Sequence, residues 1–197
     1  MGDVAVITEP AVEPVDLTEI KRHLNIDSGF TLDDTWFNTN IGVVRRYVER
    51  QAGLIFRLTT LEYRLDAWPS DRLIDLPAGV ADSVTHVNHV LDGASTETTF
   101  AASNYETSLG LRPSQIRIKE GSSLPALSRD AIRPLRIRFV AGYDGIAAVP
   151  TEMKLGLMMA IGHRYRDREG TMTGLPPGVM DMLRHHARPE ERYEWLC

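Results

Sequence analysis

The chain has 197 residues, 43% hydrophobic and 25% charged, enough for a real core in one domain or in a domain carrying a smaller lobe. A formal charge of −5 and a pI near 5.7 argue against a broad basic face that grips nucleic acid. No apolar run approaches the ~18 residues that span a bilayer, MGDVAVITEP lacks the basic start and apolar core of a signal peptide, and the lone Cys197 excludes an internal disulfide framework and fits a reducing cytoplasm.

In chain order, Pro10 and Pro14 keep the first fifteen residues extended. A helix then starts at Asp16, a good N-cap with Glu19 three residues on as in a capping box, and with Val15 placed to staple against Ile20. Leu17, Ile20 and Leu24 give it one apolar face, and Asn25 to Gly29 breaks it. Thr31 with Asp34 reads as a second cap. Phe37, Ile41, Val44 and Val48 then recur at helical spacing, with Arg45, Arg46 and Arg50 toward the end of the helix dipole and Gly53 closing it.

From Leu54 to Val140 short runs rich in Leu, Ile, Val and Thr alternate with turn signals such as Trp68-Pro69-Ser70, Pro77-Ala78-Gly79 and Asp92-Gly93. The spacing predicts a β-lobe of about six short strands. Two are sided: Ile116 and Ile118 oppose Arg117 and Lys119, and Leu135, Ile137 and Phe139 oppose Arg136 and Arg138. After the turn Ala141 to Gly145, a helix is predicted with Pro150 in its first turn and Gly170 as its stop. Met153, Leu157, Ala160, Ile161 and Tyr165 form its stripe, widened by Leu155, Met158 and Met159. So large an apolar girth calls for burial by its own bundle or by a neighbouring subunit, which makes Met153, Leu155, Met158 and Met159 candidate subunit-interface residues. A last helix spans roughly Pro177 to Ala187, before Pro189 and the tail RPEERYEWLC.

The fold class expected is therefore α+β: a helical bundle of N- and C-terminal helices, residues 1–53 plus 141–197, with an antiparallel β-lobe, residues 54–140, inserted between them.

The chain announces no chemistry. His86 and His89 lie three apart in a predicted strand and point to opposite faces. The adjacent helical His185 and His186 diverge by about 100°, and His23 and His163 have no partner at ligand spacing, so no metal or other cofactor is expected. Asp33 and Asp34 suit the first turn of a helix, and Asp66, Asp71 and Asp75 flank a strand and a turn. No nucleophile elbow, phosphate loop or dinucleotide fingerprint occurs. No catalytic residue is expected. The basic groups Arg117, Lys119, Arg136, Arg138 and Arg164, Arg166, Arg168 lack interleaved aromatics for base stacking. A nucleic-acid-binding module and a carboxylate hydrolase stand as the alternatives from other classes. In the tail, Tyr193 and Trp195 fall on one side of an extended segment, as anchors of a docking peptide would, or as part of a tail folded back on its own core.

Taken in order, VDLTEIKRHLNID, the pair Asp33-Asp34 before a helix ending VERQAG, LDAWPSDRLIDLPAGVADSV, and RIRFVAGYDGIAAVPTEMKLGLMMAIGHRYRDREG resemble the head–tail connector (adaptor) proteins of tailed bacteriophages and gene transfer agents. The resemblance runs from Val15 to about His186. It implies a structural, non-enzymatic protein made in a bacterial cytoplasm and resident in a particle, with no membrane association. It also implies a ring of about twelve copies, with the portal protein on one side and a stopper or tail-terminator on the other. DNA would pass through the channel without sequence-specific binding. By position, the tail residues Arg188, Pro189, Arg192, Tyr193, Trp195 and Leu196 would be the portal-docking segment.

Overall fold

The computed structural model describes residues 2–169 and 174–186, together with the backbone of 194–195. The chain divides into two compact units: a β-unit of residues 1–9, 58–142 and 188–197, and a helical unit of residues 10–57 and 143–187. The class is α+β.

In the helical unit, α1 (Leu17–His23) starts as its sequence requires. The Asp16 carboxylate accepts from Glu19 N at 2.8 Å, and the Glu19 carboxylate accepts from Asp16 N at 3.1 Å. Asn25, at φ 57°, turns the chain away after it. The second helix, α2 (Asp34–Ala52), ends where Gly53 adopts φ 62°, a conformation glycine takes without strain. Its cap differs from expectation. Asp33 rather than Thr31 holds the N-cap position, and its carboxylate makes no cap bond because Tyr165 and Arg168 engage it. The third helix, α3 (Thr151–Arg166), has Pro150 just outside its first turn and ends before Gly170, which lies outside the described residues. A short α4 (Pro177–Leu183) follows, shorter than expected at its C-terminal end, where Ala187 is outside the described residues.

The helices share one core built from Ile20, Phe37, Ile41, Val44, Val48, Met153, Leu157, Ala160, Ile161, Val179 and Leu183. Glycines let α3 be approached closely. A Cβ on Gly156 would lie 3.3 Å from Leu183, and one on Gly162 would lie 2.6 Å from Leu24. The wide apolar girth of α3 is thus covered within its own bundle by α1, α2 and α4.

The same core holds a buried ion network. Arg45, read as a complement to the helix dipole, has a buried side chain, 2% exposed. Its Nη1 donates to Glu49 at 2.6 Å and its Nε to Glu13 at 2.8 Å. Glu49 also accepts from the backbone N–H of Phe56 at 3.0 Å. Burial of these charges is tolerated because each finds a partner.

The β-unit contains a six-stranded sheet and a three-stranded sheet. The strands are β1 (Asp3–Thr8), β2 (Thr59–Leu65), β3 (Leu73–Leu76), β4 (Ala81–Val90), β5 (Glu97–Phe100), β6 (Tyr105–Ser108), β7 (Ser114–Ile118), β8 (Leu135–Ala141) and β9 (Glu194–Trp195). The larger sheet runs β5-β4-β8-β2-β1-β9 and the smaller β3-β7-β6. All pairs are antiparallel except β1 with β9. Residues 3–8 correct the expectation that residues 1–53 belong to the helical part. Asp3-Val-Ala-Val-Ile-Thr8 pairs with β2 from Asp3↔Arg64 to Thr8↔Thr60, with a register shift between Val6 and Thr8, which satisfies backbone groups along that edge.

The alternation read in β7 and β8 is present: Ile116, Ile118, Leu135, Ile137 and Phe139 are buried, and Arg117, Arg136 and Arg138 are on the other faces. Cross-strand pairs Leu61↔Phe139 and Tyr63↔Ile137 continue the buried face into β2, and Glu62↔Arg138 and Arg64↔Arg136 form the polar face.

Replacing Arg45 by Ala leaves Glu49 buried without its cation, so a loss of about 3 kcal/mol in unfolding free energy is expected. Urea denaturation measures it. A loss below about 1 kcal/mol would place Arg45 among ordinary surface pairs.

Candidate functional site

With no chemistry evident in the sequence, the candidate sites are surfaces, beginning with the predicted docking and interface residues. Of the tail, Arg188, Pro189, Arg192, Tyr193 and Leu196 lie outside the described residues, and Trp195 is described through its backbone alone. That backbone pairs with β1 in parallel, Asp3 against Glu194 and Val4 against Trp195. Of the four candidate interface residues, Met153 is 1% exposed in the core of its own helical unit and has no surface to offer a second subunit. Leu155, Met158 and Met159 are half-buried, and Met159 lies over Gly178 of α4. The sequence pattern could not separate these because the covering helices are distant along the chain.

The structure exposes other apolar side chains that no periodicity pointed to. Phe30 and Leu32, the latter 85% exposed, stand in the α1–α2 loop. Leu111 stands in the β6–β7 loop, and Ile132 ahead of β8. Val6 and Ile7 lie on β1 at 45% and 40% exposure. An apolar residue inside a polar loop is the one signal the sequence offers for the first four. Next to Phe30 runs an open groove of about 700 Å³ lined by Leu17, Thr18, Lys21, Arg22, Asn25 and Ile26 among others. Lys21 fixes its wall, donating to the Phe30 carbonyl at 2.8 Å and pairing with Asp34.

At the far end of α2 from Gly53, Asp33 accepts from the Tyr165 hydroxyl at 2.5 Å and pairs with Arg168 at 2.8 Å. The Arg168 guanidinium lies 4.5 Å from the Tyr165 ring centre and 5.3 Å from that of Trp36. Hydrogen bonds from Arg168 and then Tyr165 hold the Asp33 carboxyl below its usual range, and the Asp33 partner raises the Tyr165 hydroxyl. This cluster ties the start of α2 to the residues after α3. It is a structural clasp with neither nucleophile nor base poised at a cavity.

The basic face of the larger sheet is neutralised within that sheet. Glu62 accepts from Arg138 at 2.7 Å and from Arg64 at 2.8 Å, and Arg136 pairs with Glu97. Burial works to raise the Glu62 pKa, but the bonds from Arg138 and Arg64 outweigh it and hold the carboxyl below its usual range. Arginines so engaged do not form a free cationic track for phosphates. The histidines diverge as read: His86 lies opposite Arg138 and His89 opposite Leu135, on opposite faces of β8. Among the described residues no three His, Cys, Asp or Glu side chains are grouped to hold a metal ion. No helix among the described residues is long and apolar enough to cross a membrane.

No protein-family model and no curated protein sequence matches this chain. Its fold, in contrast, is found in solved structures. A chain from the neck of an empty gene transfer agent (GTA) particle, computed with C6 symmetry, superposes with a TM-score of 0.77 at 20% identity, covering 96% of this chain and 97% of that one. A chain from the virion of the native GTA particle gives 0.76 at 18% identity, and one from the neck of the native particle, computed with C12 symmetry, gives 0.74 at 18%. Both match over the same shares of the two chains. The chain therefore has the α+β fold of a GTA neck protein.

His89 allows a test of the β-unit's polar burial. It is 3% exposed, its Nδ1 has no hydrogen-bond partner among the described residues, and burial lowers its pKa. A histidine with a depressed folded pKa binds its proton more readily when unfolded, so stability falls as pH drops below about 6.5. Between pH 7 and pH 5 the urea midpoint of the wild type should fall further than that of His89→Leu. Parallel pH curves would show that His89 titrates with solvent access.

Proposed function

We propose that this chain is a structural subunit of the neck of a tailed phage or gene transfer agent particle: a head–tail adaptor, with no enzymatic activity and no cofactor. In this reading copies close into a ring, twelve if the C12 symmetry of the related neck applies. The portal protein lies on one side, and the stopper or tail-terminator on the other. DNA passes through the channel without sequence-specific contacts. The observation that carries the reading is the end-to-end likeness to GTA neck chains, 96% of one chain against 97% of the other with a TM-score of 0.77.

Two features of the chain support it. A closed ring needs two unlike faces on each subunit, because head-to-tail contacts are heterologous, and the exposed apolar residues are distributed over separate loops: Phe30 and Leu32, Leu111, and Ile132. The sheet arginines are matched by Glu62 and Glu97, and the chain carries a net charge of −5, which suits a passage where phosphates must slide without sticking.

Imaging of purified particles by electron microscopy, with the chain carrying a small epitope bound by a labelled antibody fragment, tests the reading. Density is expected in a ring at the head–tail junction. Label confined to the capsid shell, the tail tip or the unassembled fraction would exclude an adaptor role.

The tail gives a second test. Deleting Arg188–Cys197 should leave thermal unfolding of the subunit cooperative while blocking its joining to portal-bearing heads. Each aromatic anchor in such a contact costs about 2 kcal/mol or more on truncation, and ring symmetry multiplies the effect through avidity. DNA-filled, tailed particles at wild-type yield would exclude a docking role for the segment.

A further inference from the structure

Ile132 is 85% exposed at the tip of a turn that the fold holds from both ends. Ahead of it the buried Ser128 donates its N–H to the Val90 carbonyl at 2.9 Å, and its hydroxyl oxygen accepts from the Ala131 N–H at 3.2 Å. Behind it Arg133 takes φ 52°, a left-handed conformation that residues other than glycine adopt at a cost, and its guanidinium pairs with Asp3 at 2.6 Å. Between these anchors Arg129 and Asp130 are exposed, and neither side chain has a hydrogen bond or ion pair among the described residues. The turn therefore presents one cation, one anion and one aliphatic side chain, all unmatched.

The groove along α1 offers the converse set. Its apolar lining is Leu17 and Ile26, with Phe30 at its side. Arg22 is exposed in its wall, with no hydrogen bond or ion pair to its guanidinium among the described residues, whereas Lys21 beside it is engaged by Asp34. Asp27 lines the groove too, its carboxylate accepting from the Gly29 N–H at 2.7 Å. A volume of about 700 Å³ admits several side chains at once.

We propose that the 129–132 turn of one copy docks in the α1 groove of the next copy, with Ile132 against Leu17 and Ile26, Asp130 toward Arg22 and Arg129 toward Asp27. This rests on the adaptor reading above and names the surfaces through which the ring would close. A second copy is the occupant because the chain itself carries the matching signs of charge and the matching apolar residue. The exposed tip at Leu111 has only Arg112 beside it and no acid to meet Arg22. Groove and turn are also unlike surfaces, so identical copies joined through them run head to tail, the arrangement that closes a ring. The related neck was computed with C12 symmetry. Each contact is small, and ring closure repeats it.

Two experiments on the full-length chain test the docking. With p-benzoylphenylalanine in place of Ile132, ordinary and nitrogen-15-labelled chains are mixed at high concentration, irradiated and digested. Peptides joining position 132 to residues 17–28 are expected, in mixed-label pairs. Links confined to one chain, links elsewhere, or no link would overturn the docking. Separately, Arg22→Asp and Asp130→Arg are each expected to cut incorporation into purified particles at least about tenfold, by setting like charges face to face. The double variant restores the pair with its signs reversed and should return incorporation to within about threefold of the wild type. Single variants at the wild-type level, or a double variant no better than either, would remove the contact and the proposal with it. A wild-type chain absent from particles removes the adaptor reading, and the docking is then decided by the cross-links.

Discussion

The buried Arg45 is the interaction on which the helical unit's geometry depends. From the middle of α2 it holds Glu13, in the segment that enters the unit, and Glu49, whose other oxygen binds the Phe56 N–H in the segment that leaves it. The adjacent Arg57 donates to the Tyr143 carbonyl at 3.0 Å, and Tyr143 N–H reaches back to Phe56. Tyr143 begins the return of the chain from the β-unit. Three separate crossings between the units are thus laced together inside the helical unit, around one guanidinium and its carboxylates. A buried cation with two carboxylates gains little net stability over an apolar substitute, yet it punishes every arrangement in which one partner is missing. Its contribution is to fix which segments lie together.

The helix α3 shows how a sequence that seems to demand a partner can satisfy itself. Its apolar residues cover most of its circumference, and the bundle answers with α2, α1 and the short α4, the last two brought in close by Gly162 and Gly156. Loops and one strand also carry exposed apolar residues. There apolar side chains such as Leu32 and Ile132 stand out singly rather than as a continuous stripe.

Much of the fold was legible because local rules agree with the global outcome. The Asp16–Glu19 capping box, the four-three-four spacing of Phe37, Ile41, Val44 and Val48, and the alternation of Leu135, Ile137 and Phe139 each predict their element correctly. What stayed hidden depends on partners far away in sequence. Nothing within residues 3–8 announces that Arg64 and Tyr63 will pair with them. Arg45 reads only as a complement to the helix dipole until Glu13 is known to bind it. Asp33 reads as a first-turn acid until Tyr165 and Arg168 are known to engage its carboxylate. The interface candidates failed at Met153 for the same reason, since periodicity reports that a face is apolar and not which neighbour covers it. The surfaces were the least legible part: Leu32 and Ile132 have no pattern around them, and the edge of β1 exists only once the sheet order is known.

That sheet order also dictates how the molecule comes into being. The strand β8 lies between β4 and β2, and it is made late, at Leu135–Ala141. The helical unit likewise lacks α3 until Arg166 has been synthesised. A nascent chain that ends before Leu135 holds the β1–β2 and β4–β5 pairs without the strand that joins them, and α2 without the helix that covers Phe37 and Val44. The larger sheet can pair across its centre only after Ala141, and the helical core can close only after α3 and α4 have been made. Until then the apolar face of α2 is open to the cell. The interleaving of the two units along the chain therefore leaves the closing of both to its last third.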